Sequence, residues 1–285
     1  MADNKRQSIL CPNCRKLISR NESRCPYCNT ANPGSWWKNN FMTRILHSSD
    51  SAGQLMRTII YVNIGMYVFS LLLNPVSFGF SANPLSILSP ADRSLLLLGA
   101  TGTFPIDRLH RWWTLISANY LHGGIIHILF NMIAFSQIAP LVLREYGTYR
   151  MFIIYTLGGI IGYFISYLAG ITFTIGASAA VCSLIGASLY YGKSRGGAYG
   201  RAIYRQIGGW ALGIFLFGLI VPGINNWGHG GGIFAGIALG FLLGYQERKK
   251  EIYFYKVLSG VCVVLTFAVL FWAVASSIYY RLLIL

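Results

Sequence analysis

The chain has 285 residues, of which 54% are hydrophobic and only 11% charged, whereas soluble domains carry roughly a quarter charged residues. This composition excludes an ordinary soluble domain and predicts a membrane protein. The formal net charge of +15 would suit a nucleic-acid-binding protein. However, lysine and arginine cluster in particular loops and not along one soluble face, so no nucleic-acid partner is expected.

The amino-terminal segment contains two CxxC pairs, Cys11 with Cys14 and Cys25 with Cys28, in the stretch "CPNCRKLISRNESRCPYC". Two residues between thiolates let one turn offer both sulfurs to one edge of a tetrahedron, and a second pair completes a closed Cys₄ site. Two disulfides are the alternative, but they rarely persist in the reducing cytosol where the topology below puts this segment. The pattern predicts a structural zinc ribbon whose binding partner the sequence does not identify.

The rest of the chain contains apolar runs near the ~20 residues that a helix needs to cross hydrocarbon. The seven runs are approximately Thr58–Leu73, Thr114–Ile138, Met151–Gly170, Gly176–Tyr191, Ile207–Val221, Gly228–Tyr245 and Val257–Tyr280. The first, fourth and fifth are short for a full crossing. Because residues 1–56 are polar, no amino-terminal signal peptide is expected.

Basic residues alternate along the chain in a way that sets the membrane orientation. They concentrate in residues 1–57, 144–150, 193–205 and 248–250, whereas the loops after the third and fifth runs carry no charge. The positive-inside rule therefore predicts a cytoplasmic amino terminus and an external carboxyl terminus. We expect a multi-pass protein of the plasma membrane, specifically a bacterial inner membrane.

Four polar side chains lie where polarity is costly, at the starts of even-numbered runs that share one depth near the outer face. His127 and Asn131 are four residues apart and so share a helical face, while Ser178 and His229 open the fourth and sixth runs. Each has an ordinary explanation, since serine packs as a small residue and histidine can face headgroups. Together they supply a nucleophile, a base and oxyanion donors.

A glycine stripe on the sixth run favours close helix packing. Gly232, Gly236, Gly240 and Gly244 recur at four-residue spacing, which lets another helix approach. Such packing against a stripe of Ser178, Cys182 and Gly186 would bring His229 toward Ser178.

These residues together resemble the rhomboid family of intramembrane serine proteases over about residues 58–245. The family has HxxxN on its second helix, GxSG opening its fourth and a histidine beside small residues on its sixth. The matches here are His127 and Asn131 in "HGGIIHILFN", Ser178 in "GASA" and His229 in "GHGGGIFAG".

The resemblance implies an all-α polytopic membrane protein with a six-helix core and a seventh C-terminal transmembrane helix, and the cysteine pairs place the small zinc ribbon before it. The expected domains are the ribbon over 1–35, a linker over 36–56, the six-helix membrane domain over 57–250, and the seventh helix with a short tail over 251–285.

The resemblance also implies the site. Ser178 is the expected nucleophile and His229 its base, without a third acidic member, while His127, Asn131 and the Ser178 backbone N–H bind the oxyanion. His122 is similar to an accessory histidine in relatives. The implied activity is cleavage of single-span membrane proteins near the external side of the bilayer, with no catalytic cofactor.

One position departs from the family pattern, because Ala179 stands where a glycine usually follows the serine. Its methyl group could crowd the sixth helix or obstruct the substrate, at a cost of about 1–3 kcal/mol if neighbours cannot relax. A catalytically inactive rhomboid-like protein that binds transmembrane helices is therefore the alternative. A small transporter is disfavoured, because there is neither an inverted repeat nor a charge at mid-membrane.

Overall fold

The computed structural model describes residues 8–11, 16–19, 21–29, 31–33, 51–74, 88–249 and 252–284. The chain divides into two units, Met1–Ile59 and Ile60–Leu285. In the first unit, strands β1 (Ser8–Leu10) and β2 (Leu17–Ser19) pair antiparallel, with Ile9 opposite Ile18. The core of this unit is formed by Cys11, Ile18 and Cys25, with Ile9 and Cys28 packed against it.

Seven helices of 18 residues or more dominate the described chain. They are α1 (Ser51–Leu73), α4 (Ile125–Tyr146), α5 (Thr148–Leu168), α6 (Ser178–Arg195), α7 (Gly197–Ile220), α8 (Asn226–Leu243) and α9 (Tyr253–Ile284), and two short helices, α2 (Asp92–Leu97) and α3 (Thr114–Ser117), precede α4. The protein is thus an all-α polytopic membrane protein, as predicted.

Five of the long helices, α1, α4, α5, α7 and α9, are long and apolar enough to cross a membrane by length and composition alone. The other two, α6 and α8, have 18 residues each. Twelve of the 18 residues of α6 are buried, because it packs against α5, α7 and α8. Its surface therefore meets protein, which explains why small residues replace the long apolar side chains that face lipid.

The start of the second predicted run is wrong. Residues 114–120 form α3 and a 3₁₀ turn, the chain is extended at Leu121, and α4 begins only at Ile125. Leu121 and His122 are fully buried. The apolar sequence of this stretch therefore reflects burial in the protein and not a helical conformation. Of the helices that begin earlier than predicted, α1 at Ser51 and α7 at Gly197 differ most, since a helix can continue into polar sequence.

Close packing joins α6 to α8 through the predicted glycine stripe. A Cβ on Gly232 or Gly236 would collide with the carbonyl oxygen of Ala179 or Ser183, so the backbones meet directly. The facing surface on α6 includes Cys182 and Gly186 of the predicted stripe, and it also includes the next positions, Ala179 and Ser183. Gly244 is not part of the contact, because it ends α8 with a φ of +67°.

A fully buried arginine, Arg150 at the start of α5, fastens the loop between α8 and α9. Its guanidinium donates hydrogen bonds to the carbonyl oxygens of Gly244 (3.1 Å) and Lys249 (2.8 Å). The same group lies 4.4 Å from the centre of the Tyr255 ring on α9. Arg150 therefore helps to hold the seventh long helix to the core at this end, together with the Tyr255 hydroxyl, which donates to the Leu243 carbonyl at 3.0 Å.

Candidate functional site

The segment that leads into α6 is fixed by hydrogen bonds from several elements. Thr174 pairs with Thr101 through both backbone amides, at 3.1 and 2.7 Å. The Gly176 N–H donates to the Ala118 carbonyl at 2.9 Å, and the Tyr163 hydroxyl donates to the Gly176 carbonyl at 2.5 Å. Ser178, the first residue of α6, therefore has a defined position. The N–H groups of this first helical turn have no acceptor within the helix and carry the positive end of its dipole.

His127 lies against the same segment, in the first turn of α4. Its Nδ1 accepts a hydrogen bond from the Gly123 N–H at 3.3 Å, so the proton of the neutral ring is on Nε2. A Cβ built on Gly176 would lie 2.7 Å from that Nε2 and 3.5 Å from the Ser178 hydroxyl oxygen. The imidazole N–H and the hydroxyl thus flank one small space, which only a glycine at position 176, with a φ of +126°, leaves open.

Asn131 follows one turn later on α4 and is buried. Its side-chain nitrogen donates one hydrogen bond to the His127 carbonyl at 2.9 Å. An amide nitrogen carries two protons, so one N–H of Asn131 remains for a further acceptor.

His229 lies in the first turn of α8, and a neighbouring asparagine fixes where that helix begins. The Asn225 side-chain oxygen caps the helix by accepting from the Gly228 N–H at 2.9 Å. The Asn225 nitrogen donates to the hydroxyls of Ser166 on α5 (2.7 Å) and Thr174 (3.0 Å). Asn225 therefore ties the helix of His229 to the segment that positions Ser178. Asn225 is not among the residues predicted from the sequence, although an asparagine before a glycine-rich run is a helix-capping signal.

The Nδ1 atom of His229 is buried and has no hydrogen-bond partner among the described residues. Among the described residues, no carboxylate forms a hydrogen bond with the His229 ring. The arrangement is compatible with a two-residue pair and differs from a three-residue triad, in which an acid holds the second ring nitrogen.

A cavity of about 450 Å³ brings the four predicted polar residues together, since Ser178, His229, His127 and Asn131 all line it. Between Ser178 and His229 themselves, no direct hydrogen bond forms in the described structure. Catalytic hydrogen bonds are often long in unliganded enzymes and tighten when substrate binds.

The remaining walls of the cavity are largely apolar and come from α2, α4, α6, α7 and the segments that precede α2, α4, α6 and α8. Phe130 on α4 and Phe217 on α7 line the cavity and are also about half exposed, at 58% and 48%. Helix α7 buries only Gly200, Ile203 and Ile207, all in its first half. The cavity therefore lies beside the second, exposed half of α7.

His122 does not line the cavity but supports two residues that do. Its Nε2 accepts from the Ala177 N–H at 3.5 Å, next to Ser178. Its ring also meets the ring of His127 edge to face, with centroids 5.1 Å apart. His122 thus contacts both His127 and the backbone next to Ser178, on the side away from the cavity.

The methyl group of Ala179 is fully buried in a cluster with Ala118 and Tyr163, and it is absent from the cavity wall. A Cβ on Gly162 of α5 would lie 3.2 Å from it. The crowding of the sixth helix or of the substrate path, considered from the sequence, does not occur, because the methyl group faces α5.

Comparison with known proteins gives the family of this helical domain. Residues 109–246 match the family model described as the rhomboid domain. This part of the chain is a rhomboid domain. The matched residues include His122, His127, Asn131, Ser178 and His229, whereas the cysteine pairs and α9 lie outside it.

Relatives include plant and bacterial proteins. RHOMBOID-like protein 4 of Arabidopsis thaliana is 31% identical over 163 residues, which cover 56% of this chain and 41% of the relative. RHOMBOID-like protein 1 of the same plant is 29% identical over 225 residues, 69% of this chain and 56% of the relative. The rhomboid protease GluP of Bacillus subtilis is 34% identical over 136 residues, 48% of this chain and 27% of the relative. The matches thus span about half of these relatives' length or less.

Outside the rhomboid domain, the thiols of Cys11, Cys25 and Cys28 lie within 4.8 Å of one another and could hold a metal ion. The Sγ atoms of Cys11 and Cys28 are 3.6 Å apart. Two thiolates on a tetrahedral metal with bonds of about 2.3 Å lie roughly 3.8 Å apart, whereas a disulfide would require about 2.05 Å. The cluster therefore has metal-site spacing. Cys14, the fourth predicted ligand, lies outside the described residues.

Proposed function

We propose that this rhomboid-domain protein is an intramembrane serine endopeptidase that cleaves single-span membrane proteins near the external face of the bilayer. One observation carries the proposal: the Ser178 hydroxyl and His127 Nε2 flank a single space in a cavity that His229 also lines. The hydroxyl and the imidazole N–H are close enough to contact one peptide carbonyl, with its carbon toward Ser178 and its oxygen toward His127.

In the proposed reaction, His229 removes the proton of the Ser178 hydroxyl as the oxygen attacks the carbonyl carbon. The His127 Nε2–H, the remaining Asn131 N–H and the Ser178 backbone N–H stabilise the oxyanion. His229 then protonates the leaving amine as the C–N bond breaks, which gives an acyl-enzyme. Water hydrolyses the ester, with His229 again as base, and restores Ser178.

The substrate would enter laterally, between α4 and the second half of α7, where the cavity wall is apolar and exposed. A peptide bond in a regular helix is shielded by backbone hydrogen bonds, so the cleaved region should contain glycine, proline or polar residues that loosen it. In the same proposal, the amino terminus is cytoplasmic and the membrane is a bacterial plasma membrane.

The amino-terminal unit is proposed as a structural zinc ribbon with Cys11, Cys14, Cys25 and Cys28 as ligands. A bound zinc would cross-link the two cysteine turns, and a closed four-thiolate site leaves no position for catalysis. The proposed domains keep the predicted bounds, with the ribbon over 1–35, the linker over 36–56, the membrane domain over 57–250 and the seventh helix with its tail over 251–285.

Labelling with a fluorophosphonate tests the proposed nucleophile without knowledge of the substrate. The detergent-solubilised full-length protein should be labelled on Ser178, and Ser178→Ala and His229→Ala should both lose the label. Ser194→Ala, at the other end of α6, is the matched control and should keep it. Label retained by Ser178→Ala contradicts the assignment, and an unlabelled wild-type protein favours an inactive, helix-binding role.

A further inference from the structure

One charged side chain lines the cavity in the described structure, and it is the carboxylate of Asp92. The undescribed residues 75–87, which precede it, contain no Asp, Glu, Lys or Arg in the sequence. The protein carries 23 lysines and arginines against 8 acidic residues. The charge at this cavity is therefore opposite in sign to the net charge of the protein.

The carboxylate is available to a ligand. Asp92 is exposed, and its side chain forms no hydrogen bond or ion pair with any other described residue. The second external acid of residues 88–113, Asp107, instead accepts a hydrogen bond from the Tyr167 hydroxyl at 2.9 Å. Of these two carboxylates, only Asp92 is both at the cavity and unpaired.

The element that carries Asp92 is held firmly against the site. Helix α2 receives a hydrogen bond from the Arg111 guanidinium to the Leu96 carbonyl at 3.1 Å. Just before α2, the Ser89 hydroxyl donates to the Gly123 carbonyl at 2.7 Å, and the Gly123 N–H in turn donates to His127. Asp92 therefore has a fixed place on the same wall as His127, and a charge held in place selects ligands better than a mobile one.

We propose that Asp92 is a specificity-determining residue that favours substrates with a lysine or arginine close to the cleaved bond, an inference that rests on the proposed protease function. A substrate cation would meet a single unpaired carboxylate beside an otherwise uncharged cavity. External flanks of membrane helices generally carry few lysines and arginines, because these residues concentrate on the cytoplasmic side. A preference for a basic residue near the cleaved bond would therefore restrict the substrates to a minority of membrane proteins.

The test is a competition assay in which the full-length protein cleaves two single-span substrates in one reaction. The substrates differ at one position, scanned through the residues that flank the cleavage site, as lysine, glutamine or glutamate. Because exposed ion pairs are weak, we expect wild-type protein to cleave the lysine form about two- to fivefold faster than the glutamine form at one of these positions. The glutamate form should be slower than both.

Three variants decide the role of Asp92. Asp92→Asn should reduce the lysine-to-glutamine ratio to about one, and Asp92→Lys should reverse it in favour of glutamate. Arg93→Gln changes the charge of the same helix at a residue that does not line the cavity, and should leave the ratio unchanged. An equal ratio in wild type and Asp92→Asn overturns the inference while cleavage itself still supports the protease. Absence of cleavage by wild type overturns the protease proposal and the inference with it.

Discussion

The methyl group of Ala179 on α6 packs against Gly162 on α5, where an added Cβ would lie 3.2 Å from it. The same Cβ would lie 3.0 Å from the Gly228 carbonyl oxygen and from the Gly232 nitrogen of α8. Gly162 therefore lies where α5 meets the helices of Ser178 and His229. The extra methyl at position 179 fits because position 162 has no side chain.

Gly162→Ala should therefore destabilise the protein by about 1–3 kcal/mol, because the added methyl overpacks this junction. The thermal midpoint in detergent and the rate of fluorophosphonate labelling should both fall. The double variant with Ala179→Gly should recover part of the loss, since one of the close contacts disappears. Gly213→Ala is the control, because a Cβ there meets nothing within 4 Å. A Gly162→Ala protein as stable as wild type would refute this packing account.

Asn225 should matter more for reactivity than for folding. Asn225→Ala removes the cap of α8, a loss of about 1 kcal/mol, and also the hydrogen bonds to Ser166 and Thr174 that tie α8 to α5 and to the segment before α6. We expect labelling at Ser178 to slow roughly tenfold or more, because small displacements of a base are costly. Asn225→Asp keeps the capping oxygen but not the donor, so it should regain stability and not the labelling rate. Equal labelling rates in wild type and Asn225→Ala would rule out a positioning role.

Arg150 should be a major contributor to stability. Arg150→Met leaves the Gly244 and Lys249 carbonyls without their charged donor, and each such hydrogen bond contributes about 1.5–3 kcal/mol. Arg150→Lys should restore only part, because an ammonium lacks the planar fork that reaches both carbonyls and stacks on Tyr255. Unfolding in a denaturing detergent, with protease nicking between α8 and α9, measures the effect. The exposed Arg205→Met is the control, and an equally stable Arg150→Met protein would contradict the prediction.

Metal analysis tests the amino-terminal cluster. Protein purified without chelator should contain one zinc per chain, and Cys11→Ser or Cys28→Ser should lose most of it, because removing one thiolate opens the closed site. Cys262→Ser, which changes a thiol on α9, should retain the metal. Full zinc content in Cys11→Ser would show that these thiols do not form the site.

Much of the helical architecture could be predicted because it depends on local patterns. Long apolar runs gave the number of long helices, and four-residue spacing gave the close approach of α8 to α6. The start of α4 could not be obtained in this way, since His122 and its neighbours are buried in a non-helical segment. Hydropathy reports burial and does not distinguish a packed loop from a helix.

In the candidate site, too, local relationships could be predicted from the sequence and long-range contacts could not. His127 and Asn131 are one turn apart, so spacing alone indicates that they share a face. The partners of Asn225 lie 59 and 51 residues away along the chain, and no local pattern records such a hydrogen bond. The direction of the Ala179 methyl likewise depends on how α6 is rotated against α5, which only the packed structure defines. The catalytic roles of Ser178 and His229 stay predictions.

The most direct test of the protease is cleavage of a single-span membrane protein by the purified full-length chain in liposomes, beside Ser178→Ala reconstituted in the same orientation and amount. The account predicts a product cut near the external end of the substrate helix with wild type, and no product with Ser178→Ala. Equal cleavage by the two proteins would contradict Ser178 as the nucleophile, and no cleavage by either would contradict the protease itself.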